Sequence, residues 1–290
     1  MRHKERMMMK RLLSALLAAG LLIANSFGAS AFFVDSIGDL TFINGTHRWL
    51  IDRSFEILGN EKPAMARWYG EKARDIIREY TDWPDQYEKG DDFANRTMGS
   101  WHSYRPKEGV NTLGKKDETA NTRLVFWYNE AVSKYKAGQK DESFRALGKA
   151  THYLGDMASP PHTGERSYWI LSGVIVYRPL RIAFNGASHL TYEAAANTLK
   201  DFYAVQTGGL YHLAMQNSVK QIGHKTALFS LNYYYIIEDS EIFRMRVDEA
   251  VTETRKGNGL EQRSIKEPLE YAQKILAGLL YRFYHDCAIV

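Results

Sequence analysis

The chain has 290 residues, 44% of them hydrophobic and 25% charged, which is enough to build a sizeable core and excludes a low-complexity or intrinsically disordered class. Its formal net charge is +4, but residues 1–31 carry five Lys or Arg against one acidic residue, so the remainder is close to neutral and offers no broad basic footprint for nucleic acid. The single cysteine, Cys287, excludes an internal disulfide and leaves packing or bound metal to hold the fold.

Taken from the start, Arg2, Lys4, Arg6, Lys10 and Arg11 precede an apolar run from Leu12 to Ala24, followed by small residues ending Ala29-Ser30-Ala31. That order is expected of an export signal cut after Ala31. The apolar run is 13 residues long, short of the roughly 20 that span a bilayer. The expected division is therefore a signal peptide over 1–31 and one domain over 32–290, secreted or periplasmic, with no integral membrane span after signal removal. No Pro/Ser-rich linker interrupts 32–290, and a monomer is expected.

Helical periodicity then recurs along the chain. The pattern predicts a helix over 46–59, with Thr46 as its cap and Trp49, Leu50, Phe55 and Leu58 on its apolar side. Residues 122–138 space Leu124, Tyr128, Ala131, Val132 and Tyr135 three to four apart before Gly138. The next helix, about 140–156, carries Phe144, Leu147 and Leu154 and is stopped by Ser159-Pro160-Pro161. Further helices are expected at 187–204, 209–223 and 264–284, and the Tyr-rich stretch 231–237 is assigned to helix because it has no turn partner as a strand. The expected fold class is all-α, one compact multi-helix domain of eight to ten helices.

The chemistry concentrates in the segment His152-Tyr-Leu-Gly-Asp156-Met-Ala-Ser-Pro-Pro-His162. Four residues separate His152 from Asp156, so both fall on one helix face, and the two prolines turn the chain so that His162 can come back toward them. His189 and Glu193 repeat the same spacing on another helix. Imidazole with carboxylate suits zinc. His152 and Asp156 also sit in an otherwise apolar turn, where an uncompensated charge is costly and a bound metal removes the objection.

The quoted segment resembles the central HYLGDxxxPxH motif of the bacterial zinc-dependent phospholipases C, a family related more remotely to S1/P1-type nucleases, and HLTYE resembles its following HxxxE motif. The resemblance runs from about residue 32 to the last helix. It implies an all-α fold holding three Zn2+ ions. His152 and Asp156 would share one zinc with His102 and an upstream aspartate, and His162, His189 and Glu193 would hold a second. Asp156 would bridge to a third, completed by His47 and by the amino group and carbonyl of Phe32, the first residue after cleavage. For the upstream aspartate, Asp85 of the WPD turn matches best and Asp82 is the alternative.

The resemblance further implies hydrolysis of phospholipid headgroup phosphodiesters at a membrane surface, by in-line attack of a zinc-activated water that Asp85 orients or deprotonates. The alternatives are a single-strand nuclease or other zinc phosphodiesterase, and a metal-bound protein without catalysis; no specific nucleic acid is expected as a partner. GxSxG, Walker and HExxH signatures are all missing from the sequence. His212, His224 and His285 match no ligand of the family and read as structural or surface groups. One departure stands out: His189 follows His162 by 27 positions, an interval longer than in compact members, and it contains Tyr168–Tyr177, read as an added buried segment or a lip toward lipid.

Overall fold

From residue 150 to residue 160 every position is buried, so this stretch has no solvent side and must be surrounded by other elements. All but its last two residues form the second half of a helix in a computed structural model that describes residues 45–87, 100–112, 114–164, 170–171, 174–175, 192–239, 252 and 260–288. The expected export signal, Phe32 and His189 lie outside the described residues.

Helix α1 spans Thr46–Glu61, α2 Pro63–Tyr80 and α3 Trp83–Tyr87. A 3-10 turn at Ser100–His102 follows, then α4 at Ala120–Lys136 and α5 at Lys140–Ala158. Residues 192–199 form α6. Helices α7 (Tyr211–Gln216), α8 (Val219–Asp239) and α9 (Leu260–Ala288) complete the order. The result is one all-α multi-helix domain. Among the described residues a short antiparallel pair, β1 (Ile170–Leu171) on β2 (Val174–Ile175), stands beside the helices, inside the interval that the sequence marked as an addition.

Helix α5 is the central element, packed by α2, α4, α8 and α9, while α1 lies on α2 and α9. Gly138 makes the α4–α5 hairpin possible. Its φ of 77° is left-handed backbone that a side chain resists, and it ends α4 and turns the chain at once. At the start of α4, Thr119 and Thr122 exchange side-chain and backbone hydrogen bonds as a capping box. The core joins Leu124 of α4, Leu147 and Leu154 of α5, Ile77 of α2 and Leu276, Leu279 and Phe283 of α9, all essentially inaccessible. Each such side chain contributes about 1.5 to 3 kcal/mol by leaving water.

Three details differ from the sequence expectation. Thr46 does not cap α1; it is the first helical residue, and its hydroxyl donates to Asn197 Oδ1 at 3.1 Å, tying α1 to α6. Helix α2 has no counterpart in the sequence reading, because its apolar positions are interrupted by Gly70, whose φ of 67° kinks it. The helix expected over 209–223 is two. Asn217 is extended and its side chain returns to the Leu213 carbonyl at 2.8 Å, while Ser218 and Gln221 form a fresh capping box for α8. The Tyr-rich stretch 231–237 lies within α8, as expected.

Candidate metal centre

His152 and Asp156, one turn apart on α5, are both fully buried. Beside them the chain leaves α2 at Thr81 and turns into α3. The Thr81 carbonyl lies 2.7 Å from His152 Nδ1. A carbonyl only accepts, so Nδ1 carries the proton and Nε2 keeps its lone pair facing Asp156. Thr81 is held in turn by Thr151, hydroxyl to hydroxyl at 3.2 Å, and the next residue, Asp82, pairs with Arg48 of α1 at 2.5 Å. Asp82, the alternative ligand, therefore serves an ion pair that clamps this turn. Asp85 follows on α3 with a side chain only 3% exposed, reaching the imidazoles from the other side.

Four donor atoms from three elements converge. His102 Nδ1 is 2.9 Å from His152 Nε2, and Asp156 Oδ2 is 3.0 Å from the first and 3.3 Å from the second. Asp85 Oδ1 is 3.5 Å from His102 Nδ1 and 3.6 Å from His152 Nε2. Ligands about 2.1 Å from a tetrahedral zinc are separated by about 3.4 Å. The five distances bracket that value, so the donor set fits zinc in type and in spacing. His47 closes the far side: its ring stacks on His152 with centroids 4.1 Å apart, and its Nε2 lies 3.4 Å from Asp156 Oδ1. Asp156 Oδ1 makes no hydrogen bond, an expensive state for a buried carboxylate oxygen and one that a cation between it and His47 would relieve.

Protonation agrees with a ligand role. Burial pushes the His152 imidazole down to about 3, leaving it neutral at physiological pH. Burial works against ionisation of Asp156 as well, but the imidazoles of His152, His102 and His47 outweigh it and hold the carboxyl well below the usual carboxylate range.

A second grouping stands beside the first. His162, in the 3-10 turn Pro160–His162, donates from Nδ1 to the His102 carbonyl at 2.6 Å and so presents its Nε2 lone pair to Glu193 Oε1 of α6 at 3.2 Å. A lone pair facing a carboxylate is repulsive unless a cation or a proton lies between them. Both side chains are buried, at 4% and 0% exposure.

Among the described residues, two overlapping sets have donor atoms all within 4.8 Å of one another: His47, Asp85 and His152; and His102, His152 and Asp156. His224 instead meets the Tyr104 hydroxyl at 3.0 Å, and His285 packs on Tyr281 with ring centroids 4.5 Å apart. Sequence reasoning missed Thr81, Arg48 and Gly155. A Cβ on Gly155 would stand 2.9 Å from His47 Nδ1, so the glycine of HYLGD is what lets α1 bring His47 against α5. The helical spacing of that glycine, one turn from His152, was the available signal.

A profile described as zinc dependent phospholipase C matches residues 46–245. The chain is 22% identical to a phospholipase C of Bacillus cereus over 204 residues, covering 67% of this chain and 64% of that one. Among solved structures, an alpha toxin from Clostridium absonum superposes with a TM-score of 0.62 at 18% identity, and the Clostridium perfringens alpha-toxin from an avian strain with 0.60 at 20%. Both cover 84% of this chain, and the match spans 64% of each toxin's length.

Proposed function

The chain belongs to the zinc-dependent phospholipase C family, and from that premise we propose that it hydrolyses the headgroup phosphodiester of phospholipids, releasing diacylglycerol and a phosphorylated headgroup. The observation that carries the reading is the convergence of Asp85, His102, His152 and Asp156 at separations suited to one tetrahedral zinc. His162 and Glu193 would hold a second ion together with His189, and His47 and Asp156 a third, with the amino terminus of Phe32 after cleavage behind Ala31. Zinc in such a cleft neutralises phosphoryl oxygens and lowers the pKa of water.

The chain's own residues do the rest. The Thr81 carbonyl fixes His152 as a neutral donor, and the His102 carbonyl fixes His162 in the same way. Asp85 has one oxygen at the imidazoles and sits on a short helix at the edge of the cluster, which suits it to orient the attacking water and take its proton. Among the described residues no helix is long and apolar enough to cross a membrane, which is consistent with an enzyme that meets lipid from outside. Export ahead of the phospholipid encounter belongs to the same proposal.

The test is hydrolysis of phosphatidylcholine by protein beginning at Phe32, with loss of activity on chelation and recovery with zinc. Cleavage of single-stranded nucleic acid without lipid hydrolysis would replace the reading by the nuclease alternative, and zinc binding with neither activity would leave a metal-bound protein without catalysis.

A further inference from the structure

Pro268 lies inside α9, where a helix loses one hydrogen bond because proline has no N–H to offer the carbonyl four residues earlier. That carbonyl belongs to Ser264. The Tyr192 hydroxyl donates to it at 3.0 Å, from a side chain with no exposed surface. A side chain of α6 thus takes the place that the backbone of α9 leaves. Tyr192 is the neighbour of Glu193, and two contacts from α1 hold the far end of the same helix and its extension, with a third inside it. Asn197 accepts from Thr46, next to His47; Lys200 donates to the same Asn197 oxygen at 2.7 Å; and Trp49 Nε1 donates to Asp201 at 2.8 Å.

We propose that Tyr192, anchored in the gap made by Pro268, is the positioning residue that sets the register of α6 and so aims Glu193 at His162. The proposal rests on the reading of Glu193 as a zinc ligand. Its physical basis is leverage. The Thr46 and Trp49 contacts, at residues 197 and 201, both run to α1 at the far end of α6, whereas the Tyr192 bond ties its first turn to α9. Tyr192 is adjacent to the ligand and bonds to a rigid acceptor inside a long helix. Because the hydroxyl of Tyr192 has a backbone acceptor that proline keeps open, the anchor is directional and does not depend on apolar packing alone.

The test measures zinc binding by titration and thermal unfolding in four forms of the mature protein: wild type, Glu193→Gln, Tyr192→Phe, and Tyr192→Phe with Pro268→Ala. Glu193→Gln is expected to lose one equivalent of zinc. Tyr192→Phe is expected to keep the stoichiometry and weaken the same equivalent about ten-fold, the lower end of what residues behind a metal ligand cost. Adding Pro268→Ala gives Ser264 a backbone N–H again, so the melting temperature should rise toward wild type while zinc stays weak. Recovery of zinc affinity along with the melting temperature would overturn the proposal, because Tyr192 would then merely satisfy α9. Wild-type affinity in Tyr192→Phe, with Glu193→Gln losing its equivalent, would overturn the positioning role and leave Glu193 a ligand. Full zinc in Glu193→Gln would overturn the ligand reading and the positioning role with it.

Discussion

The grouping around Asp156 and the pair of His162 with Glu193 sit side by side yet are built differently. The first draws His152 and Asp156 from a single turn of α5, so their relation is set by helix geometry, and adds His47, Asp85 and His102 from elements packed directly on that turn. The second has one member at the end of the proline turn and the other on α6, and nothing local relates them; their 3.2 Å separation is the product of contacts with α1 and α9. Where the fold makes a site from one helix, the site inherits the stability of the core. Where it makes one between elements, each tether becomes a point of failure.

The largest effects should come from the first grouping. Asp156→Ala and His152→Ala are each expected to lower turnover by at least about a thousand-fold and to lower zinc content, since each removes a proposed ligand of an ion that would stabilise several kcal/mol of transition-state charge. Folded variants with full zinc and unchanged turnover would break the comparison at its stronger side. Asp85→Asn should follow, with a loss of roughly a hundred-fold in kcat and little change in lipid binding. Asp82→Asn should spare kcat by comparison and lower stability, because it leaves Arg48 beside the clamped turn without its carboxylate. If kinetics of the two variants show the opposite order, the roles of the two aspartates are exchanged.

Gly155→Ala probes the packing beneath the site. The added methyl would stand 2.9 Å from His47 Nδ1 and 3.1 Å from Cε1, and the ring must move. A loss of about 1 to 3 kcal/mol in urea unfolding is expected, with affinity for the zinc proposed at His47 falling alongside. The smallest effect lies far from the candidate metal centre. Glu61 accepts backbone hydrogen bonds from Gly208 at 2.8 Å and Gly209 at 3.0 Å. Burial works to raise its carboxyl, but those two donors, with Tyr211 and Lys62, lower it below 4.5. A depressed folded value means stability that is present above the unfolded value and lost as pH falls through the folded one. Glu61→Gln should therefore cost less than about 1 kcal/mol at neutral pH, and the difference from wild type should shrink in unfolding experiments taken below pH 4.5.

How much of this could be read from the sequence follows the same division. Helix α5, its end at the prolines and the shared face of His152 and Asp156 follow from local rules, and so does most of α9. The all-α class was legible because periodicity repeats along the chain. What escaped depends on contacts between distant residues: the kinked α2, the Thr81 carbonyl behind His152, the Arg48–Asp82 pair and the Tyr192 anchor. No spacing rule announces a carbonyl, since every residue has one. The choice between Asp82 and Asp85 was open for the same reason: both lie in one short stretch of sequence, and only folding sets Asp82 against Arg48 and Asp85 against His102 and His152. The break at Asn217 was a local signal overlooked, for Ser218 and Gln221 carry the residue types of a capping box.

The complete burial of His152 and Asp156 has a kinetic consequence. A zinc held there would still be open to the attacking water and to a chelator on the substrate side, but its bonds to His152 and Asp156 would lie behind that face, so complete release would wait for the helices to part. The rate at which zinc is extracted should rise with chelator concentration only at first and then level off at the rate of that opening. The plateau would make a colorimetric chelator into a clock for motions of the innermost helix, readable without any lipid substrate.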